Sequence, residues 1–477
     1  MLEEFLTNLS ATVLQGFLVI NHLILFEIGG MPLIVVWLMS AGIIFTIWMK
    51  GVNVRAFKHA IEVLLGKYDD PSQPGEVTHF QALATALSAT IGLGNIAGVA
   101  IAIRLGGPGA CFWMTVAGFL AMSTKFVECT LAQKYRIVHP DGTVAGGPMY
   151  YLSAGLAEIG QKTLGQILAV IFAIFALAGG LGSAVIFQAN QSRVAVASVI
   201  PFFTENSWVY GLLVTVLVGT IIIGGIQRIA QVAEALVPFM CGIYLLMVLW
   251  VLLTHWFAIP DVILVIFKGA FSPEAVTGGF LGAIIQGFRR SAFSNVAGLG
   301  VAAIAHATAR TKEPIREGIV ALLEPFIDTV IICNLTAFVI ILTGAYNNPD
   351  WIVFDGADLT SVAFGSVISW FPYLLALILF CFACSTMISW GYYSQVCWQY
   401  LWGNQSAFVY KILFLIAIFV GAIMSPEIVV QFGDAILLTT SIPNLIGAYL
   451  LCPLVGLDLK DYLERLRAGQ FDYEVIT

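Results

Sequence analysis

Long apolar runs alternate with short polar stretches along the whole chain. Eleven runs approach or exceed the roughly 20 residues that a helix needs to cross a bilayer. They are residues 31–49, 79–103, 109–133, 164–190, 207–225, 232–254, 275–305, 318–343, 372–401, 407–424 and 427–453. The stretches between them hold turn chemistry, as in Asp69-Asp70-Pro71-Ser72-Gln73-Pro74-Gly75 and Tyr346-Asn347-Asn348-Pro349-Asp350. None is long enough for a separate soluble domain. An earlier run, 5–26, is interrupted by Asn8, Gln15, Asn21 and His22 and reads as an interfacial helix. The pattern predicts an all-α polytopic membrane protein with eleven transmembrane helices.

Composition agrees. Of 477 residues, 59% are hydrophobic and 10% charged, against about 25% charged in soluble domains. The net charge of −7 gives no reason to expect a nucleic-acid partner; lipid is the expected surrounding. Where the basic residues fall matters more than their sum. With the N-terminus outside and the C-terminus cytoplasmic, fifteen Lys and Arg fall on the inner side and three (Arg104, Arg193, Lys268) on the outer. That asymmetry favours this orientation and an odd number of spans. The opening Met1-Leu2-Glu3-Glu4 is acidic where a secretory leader would be basic. The eight cysteines fall in or near apolar runs and read as packing residues, Cys381-x-x-Cys384 included.

Two of the runs are broken by glycine. Residues 91–100 read Ile-Gly-Leu-Gly-Asn-Ile-Ala-Gly-Val-Ala, and 295–300 read Asn-Val-Ala-Gly-Leu-Gly. They match as N-[IV]-A-G-[VL]-[AG] from Asn95 and Asn295. With the first span set aside, five spans (79–254) and five spans (275–453) remain, and a broken segment opens each set. Five spans per half invert the second half relative to the first. The chain then divides into an N-terminal segment with first helix and linker (1–77), two five-helix repeats (78–255 and 256–455) and a cytoplasmic tail (456–477).

Backbone freed from helix inside a bilayer needs other partners. Unwinding at Gly92–Gly94 frees N–H groups at the start of a half-helix, which suit a carboxylate. Carbonyls ending the preceding half-helix, around Ser88 to Ile91, suit a cation. Gly94-x-x-x-Gly98 also fits a packing motif in an unbroken helix. Ser294 and Asn295 flank the second break, with Arg289 and Arg290 just before it. Gln188 brings a side-chain amide to span depth. Ser385 and Thr386 are adjacent hydroxyls, and Trp390 follows Thr386 by one turn. Glu324 and Asp328, four apart, are intramembrane carboxylates and functional candidates. Lys125 and Glu128 read as an i, i+3 pair. No nucleophilic, zinc or nucleotide-binding motif is present, so no enzyme activity is expected.

Several motifs together resemble the alanine/glycine:cation symporter family. They are the Thr85–Ala100 run, Gly106-Gly-Pro-Gly-Ala, Phe126-Val-Glu-Cys-Thr-Leu-Ala-Gln, Gly146-Gly-Pro-Met-Tyr-Tyr, Ala305-His-Ala and Phe326-Ile-Asp-Thr. The resemblance covers roughly residues 78 to 455. It implies a LeuT-type fold with one helix ahead of a ten-helix core, sodium-coupled uptake of alanine or glycine, no cofactor, and a bacterial inner membrane. It further implies that Gly92, Leu93, Gly94 and Asn95 hold the amino acid, with Gln188, Phe293, Ser294 and Trp390 around it. By the same resemblance Ser88, Ile91, Ser385 and Thr386 would bind Na⁺; Asp328, Arg289 and Asn295, polar groups at span depth, are the candidates for coupling or gating. Two positions depart from the family pattern. Val296 stands where Glu is expected in the second broken helix, and Gln395 where Glu often follows the Tyr-Tyr pair. Both remove a negative charge. Proton-coupled transport, or amino-acid binding without transport, are the alternatives these departures leave open.

Overall fold

The computed structural model describes residues 26–28, 31–271, 279–351, 354, 356–424 and 437–471. Its longer helices, in chain order, are α1 (Leu33–Trp48), α2 (His79–Thr90), α3 (Gly94–Gly106), α4 (Ala110–Lys134), α5 (Pro148–Glu158), α6 (Lys162–Val199), α7 (Ser207–Ile222), α8 (Gly225–Thr254), α9 (Ile259–Phe271), α10 (Gly279–Asn295), α11 (Pro314–Leu342), α12 (Gly356–Val367), α13 (Phe371–Trp402), α14 (Ala407–Ile423) and α15 (Ser441–Arg467). Of two short antiparallel ladders, Glu27–Ile28 with Met31–Pro32 precedes α1, and Ile137–Val138 with Val144–Ala145 lies between α4 and α5.

Among the described residues seven helices are long and apolar enough to cross a membrane, and the bent pair α2–α3 makes an eighth. The runs at 31–49 and 207–225 yield the shorter apolar helices α1 and α7. The run at 275–305 does not stay helical: α10 ends at Asn295. The last span continues well beyond residue 453, to Arg467. Helices also arise in stretches expected to be linkers: α5, α9 and α12, each of 13 residues or fewer, and the shorter Val52–Arg55, Phe57–Leu64 and Phe202–Glu205. Such lengths are too short to span. The expected interfacial helix at 5–26 lies outside the described residues, apart from Phe26.

The outward faces are apolar. On α8, Leu246 is 68% exposed and Leu253 71%, as lipid-facing rather than water-facing surface requires. Interior faces hold small residues at crossings. A Cβ on Gly287 of α10 would lie 2.7 Å from the Ala110 carbonyl and the Trp113 Cβ, so only glycine lets α10 approach α4 this closely.

Both expected breaks occur, by different means. α2 opens with a reciprocal cap between Thr78 and Gln81 and ends at Ile91, whose backbone is extended. The chain turns by 57° into α3. After α10, Val296, Gly298 and Gly300 have φ of 47°, 87° and 77°. These left-handed residues stop the helix, and a β-branched residue there is strained. The first break precedes its Asn-x-Ala-Gly motif and the second falls within its own.

Candidate functional site

The two breaks meet face to face. The Asn95 side-chain oxygen accepts from the Gly92 N–H at 2.9 Å, capping the first break. Its amide donates to Ser294 Oγ at 3.0 Å and Asp328 Oδ1 at 2.6 Å. Ser294 also donates to Asp328, and Thr329 Oγ1 donates to the same carboxylate at 2.8 Å. Asn295 does for the second break what Asn95 does for the first: its oxygen accepts from the Ala297 N–H at 3.0 Å, and its amide donates to Ser291 and Thr329 hydroxyls. One buried polar junction therefore ties α3, α10 and α11 together.

Beside it lies a cavity of about 80 Å³, lined by Ala89, Thr90, Leu93, Gly94, Ala97, Gly98, Ile101, Ala184, Phe187, Gln188, Arg290, Phe293, Val296, Thr386, Trp390 and Leu437. Local departures from α-helix cluster at the cavity and the junction. α3 opens in a π-turn at Gly94–Gly98 and α6 holds one at Gly180–Ile186, both on the cavity wall, while α11 holds one at Phe326–Cys333 that carries Asp328 to the junction. Such widened turns alter which side chains and carbonyls point inward, and they are frequent at functional sites.

Two buried polar atoms in the wall, Gln188 Oε1 and Thr386 Oγ1, have no hydrogen-bond partner among the described residues. Both flank Gly92: a Cβ added there would lie 3.0 Å from Thr386 Oγ1 and 3.5 Å from Gln188 Nε2. An unpartnered buried polar atom costs free energy, so both are sites for a ligand's polar groups. Leu93 and Gly94 begin a helix, whose first N–H groups lack intrahelical acceptors. Phe293 and Trp390 supply the apolar part. Trp390 Nε1 donates to the Ala89 carbonyl at 3.3 Å, which fixes the ring against α2. The Arg290 guanidinium lies over the Phe293 ring, 5.6 Å from its centre.

The structure separates groups that the sequence put together. Leu93, Gly94, Gln188, Phe293, Thr386 and Trp390 line the cavity, with Gly92 directly behind. Asn95 and Ser294, expected to touch substrate, lie behind the wall, because their hydrogen-bonding capacity is engaged at the junction with Asp328. Arg290 rather than Arg289 reaches the cavity, since neighbours on a helix point about 100° apart. Ser385 and Thr386 diverge for the same reason. Thr386 faces the cavity. Ser385 Oγ meets the Phe382 carbonyl at 2.9 Å and the Ser88 carbonyl at 3.3 Å, while Ser88 Oγ donates to the Ser385 carbonyl at 2.8 Å and accepts from Ser389. Ser88, Ile91 and Ser385 are all buried. Lys125 does not pair with Glu128. It pairs with Glu324 at 2.9 Å, and Glu128 accepts from Asn444 at 2.5 Å. Missed wall residues include Ala97, Gly98 and Ile101. Their spacing of three, four and seven from Gly94 follows helical periodicity and would have found them.

Comparison with known proteins gives the family and the fold. The sodium:alanine symporter family profile matches residues 15–475. The sodium/alanine symporter AgcS of Methanococcus maripaludis is 38% identical over 434 residues, covering 91% of this chain and 94% of that one. GlnT of Bacillus subtilis, named a probable sodium/glutamine symporter, is 35% identical over 443 residues, covering 92% and 89%. Among solved structures, MhsT in complex with L-phenylalanine matches with a TM-score of 0.57 at 10% identity, covering 84% of this chain and all of that one. That likeness carries the LeuT-type fold alone. The chain belongs to the sodium:alanine symporter family and is a cation-coupled, multi-pass amino-acid transporter.

Proposed function

We propose that this protein imports alanine or glycine together with Na⁺ by alternating access. The reading rests on an eleven-helix chain, N-terminus outside, with residues 78–255 and 256–455 as inverted repeats. The observation that carries the substrate class is the cavity. About 10–15 Å³ admits one water-sized group, so 80 Å³ suits the few non-hydrogen atoms of glycine or alanine and is small for glutamine. The N–H groups at Leu93 and Gly94 would receive the carboxylate. Gln188 Oε1 and the cavity-facing carbonyls would receive the amine. Phe293 and Trp390 would bound the side chain.

Na⁺ takes hard oxygen ligands. The carbonyls of Ser88 and Ile91, which end α2, supply two, and the Ser385 and Thr386 hydroxyls two more. Thr386, unpartnered between cavity and α2, would link ion to substrate. Inward movement of one positive charge at 100 mV yields about 2.3 kcal/mol, enough to accumulate substrate. A second reading, proton coupling, rests on Asp328, a carboxylate buried at the junction of the two breaks. Labelled alanine uptake into liposomes separates the readings. Uptake driven by an inward Na⁺ gradient and lost when K⁺ replaces Na⁺ supports symport. Uptake indifferent to Na⁺ but driven by a pH gradient transfers the case to Asp328.

A further inference from the structure

We propose a binding site for one anionic glycerophospholipid headgroup in a cleft of about 490 Å³ between the end of α1 and the last turns of α15. The cleft is lined by Trp48, Lys50, Arg55, Leu457, Lys460 and Arg467. The proposal rests on the membrane-spanning reading of the helices and the orientation above. It does not depend on which amino acid is transported.

Charge comes first. Four cations converge on the cleft, and the one carboxylate lining it, Glu464, stands 4.0 Å from Lys460. The neighbouring acids of α15 are engaged elsewhere: Asp458 with Lys134 at 2.6 Å and Asp461 with Arg465 at 2.8 Å. The cleft therefore keeps a surplus of positive charge.

Backbone geometry points the same way. Lys50 has φ 53° and Gly51 φ 67°. These two left-handed residues end α1, with the Lys50 and Gly51 N–H groups on the Ile47 and Thr46 carbonyls at 3.0 and 2.8 Å. Glycine would accept the first position with less strain; the chain has lysine instead. The turn leads directly into the short helix Val52–Arg55, and Arg55 Nη1 donates to the Lys50 carbonyl at 3.4 Å. Two cations thereby sit beside one helix terminus.

The apolar side completes the match. Trp48 is 50% exposed and Leu457 66% exposed, both at the level where apolar helix gives way to basic residues. Tryptophan favours this membrane depth. A phosphate between Lys50, Arg55, Lys460 and Arg467 would make charge-assisted hydrogen bonds, and its acyl chains would lie along Trp48 and Leu457. Basic pockets between helices on the cytoplasmic side suit anionic headgroups in this way.

The test is native mass spectrometry of the full-length purified protein, titrated with phosphatidylglycerol or phosphatidylcholine. Expected is a one-lipid complex at least about tenfold tighter for phosphatidylglycerol. The K50Q/R55Q/K460Q/R467Q variant should lose that preference. K58Q/K67Q/K162Q/K312Q, which removes the same charge elsewhere, should keep it. Equal affinity for the two lipids, or equal loss in both variants, would overturn the site. So would full competition by millimolar inorganic phosphate, which would make it a free-anion site. If the preference emerges only after deletion of residues 472–477, which carry Asp472 and Glu474, the cleft belongs to the tail and the lipid proposal fails.

Discussion

Lys125→Met removes the single lysine in a fully buried ionic cluster. Lys125 and Glu324 are each 0% exposed and 2.9 Å apart. At that separation and an effective permittivity of about 20, their attraction is about 6 kcal/mol. The other Glu324 oxygen stands 3.8 Å from His306 Nε2, and Glu128 lies one turn from Lys125 on α4. Without the lysine, Glu324 keeps only that distant histidine, and Glu128, held by the neutral Asn444 amide, loses its neighbouring positive charge. Breaking a buried pair from one side costs about 3–5 kcal/mol. Much of that is the penalty of the carboxylate left behind, so Lys125→Met/Glu324→Gln should recover most of it. None of the eight cysteines is in a disulfide, and most are buried. A thiol-reactive dye in detergent therefore reads unfolding directly. Lys125→Met should unfold several degrees lower, with the double variant close to wild type. A double variant as unstable as the single would refute the reasoning, because the loss would then come from packing rather than from an uncompensated charge.

Other outcomes follow from the same geometry. Thr386→Val deletes a buried hydroxyl without a partner, so substrate-free stability should hold or rise by about 1 kcal/mol while alanine affinity falls at least about tenfold; a fall in both would make Thr386 structural. Gly92→Ala adds a methyl 3.0 Å from Thr386 Oγ1 and should raise the uptake KM without lowering the melting temperature. Glu76, in the linker before α2, accepts from the Val144 N–H at 2.8 Å, and burial raises its pKa above the usual 4.5. A carboxyl with a raised folded pKa contributes stability below its unfolded pKa and loses it as pH rises through the folded value. Glu76→Gln should therefore stabilise the protein at pH 7.5 relative to wild type, and the gain should vanish near pH 4. A constant difference across that range would contradict it.

That the chain is helical with several apolar spans was legible because hydrophobicity along a span is a one-dimensional signal; the count of eleven was not matched by the seven or eight membrane-length spans among the described residues. Glycine-broken segments were legible too, since Gly92, Gly94, Gly298 and Gly300 interrupt apolar runs where helix continuation is otherwise favoured. The motif match between Asn95 and Asn295 located both breaks but not their register. Asn95 caps a break that precedes it and Asn295 one that follows it, a difference set by left-handed residues rather than by motif. Pairing across helices was not legible. Lys125 has Glu128 nearby in sequence, yet its partner Glu324 is 199 residues away. Adjacent residues such as Ser385 and Thr386, or Arg289 and Arg290, share a location in sequence but not a direction in space. The short helices α9 and α12 escaped because their apolar runs are too brief to register as spans.

The buried cluster also bears on release. Glu317 accepts from both His79, at the start of α2, and His306, after the second break; the His306 contact is 2.5 Å. Around it the backbones join: Glu76 N–H to the Thr308 carbonyl at 2.8 Å and Arg310 N–H to the Val77 carbonyl at 2.9 Å. Arg136, at the end of α4, donates to the carbonyls of Pro74, Ala307, Ala309 and Thr311. The same end of both broken helices is thus closed by one carboxylate and a short backbone zipper. Substrate leaving by this end must part α2 from the 306–311 segment, and Glu317 opposes that parting. A hydrogen bond to a charged group is worth about 1.5–3 kcal/mol. Glu317→Gln should therefore raise local opening about ten- to a hundredfold, read as faster amide exchange across residues 74–90. Thr386→Val should leave exchange there unchanged. Exchange that rises equally throughout the chain would mean global loosening and would remove Glu317 from any role in gating. Exchange that does not change at 74–90 would mean that the backbone zipper alone holds the gate.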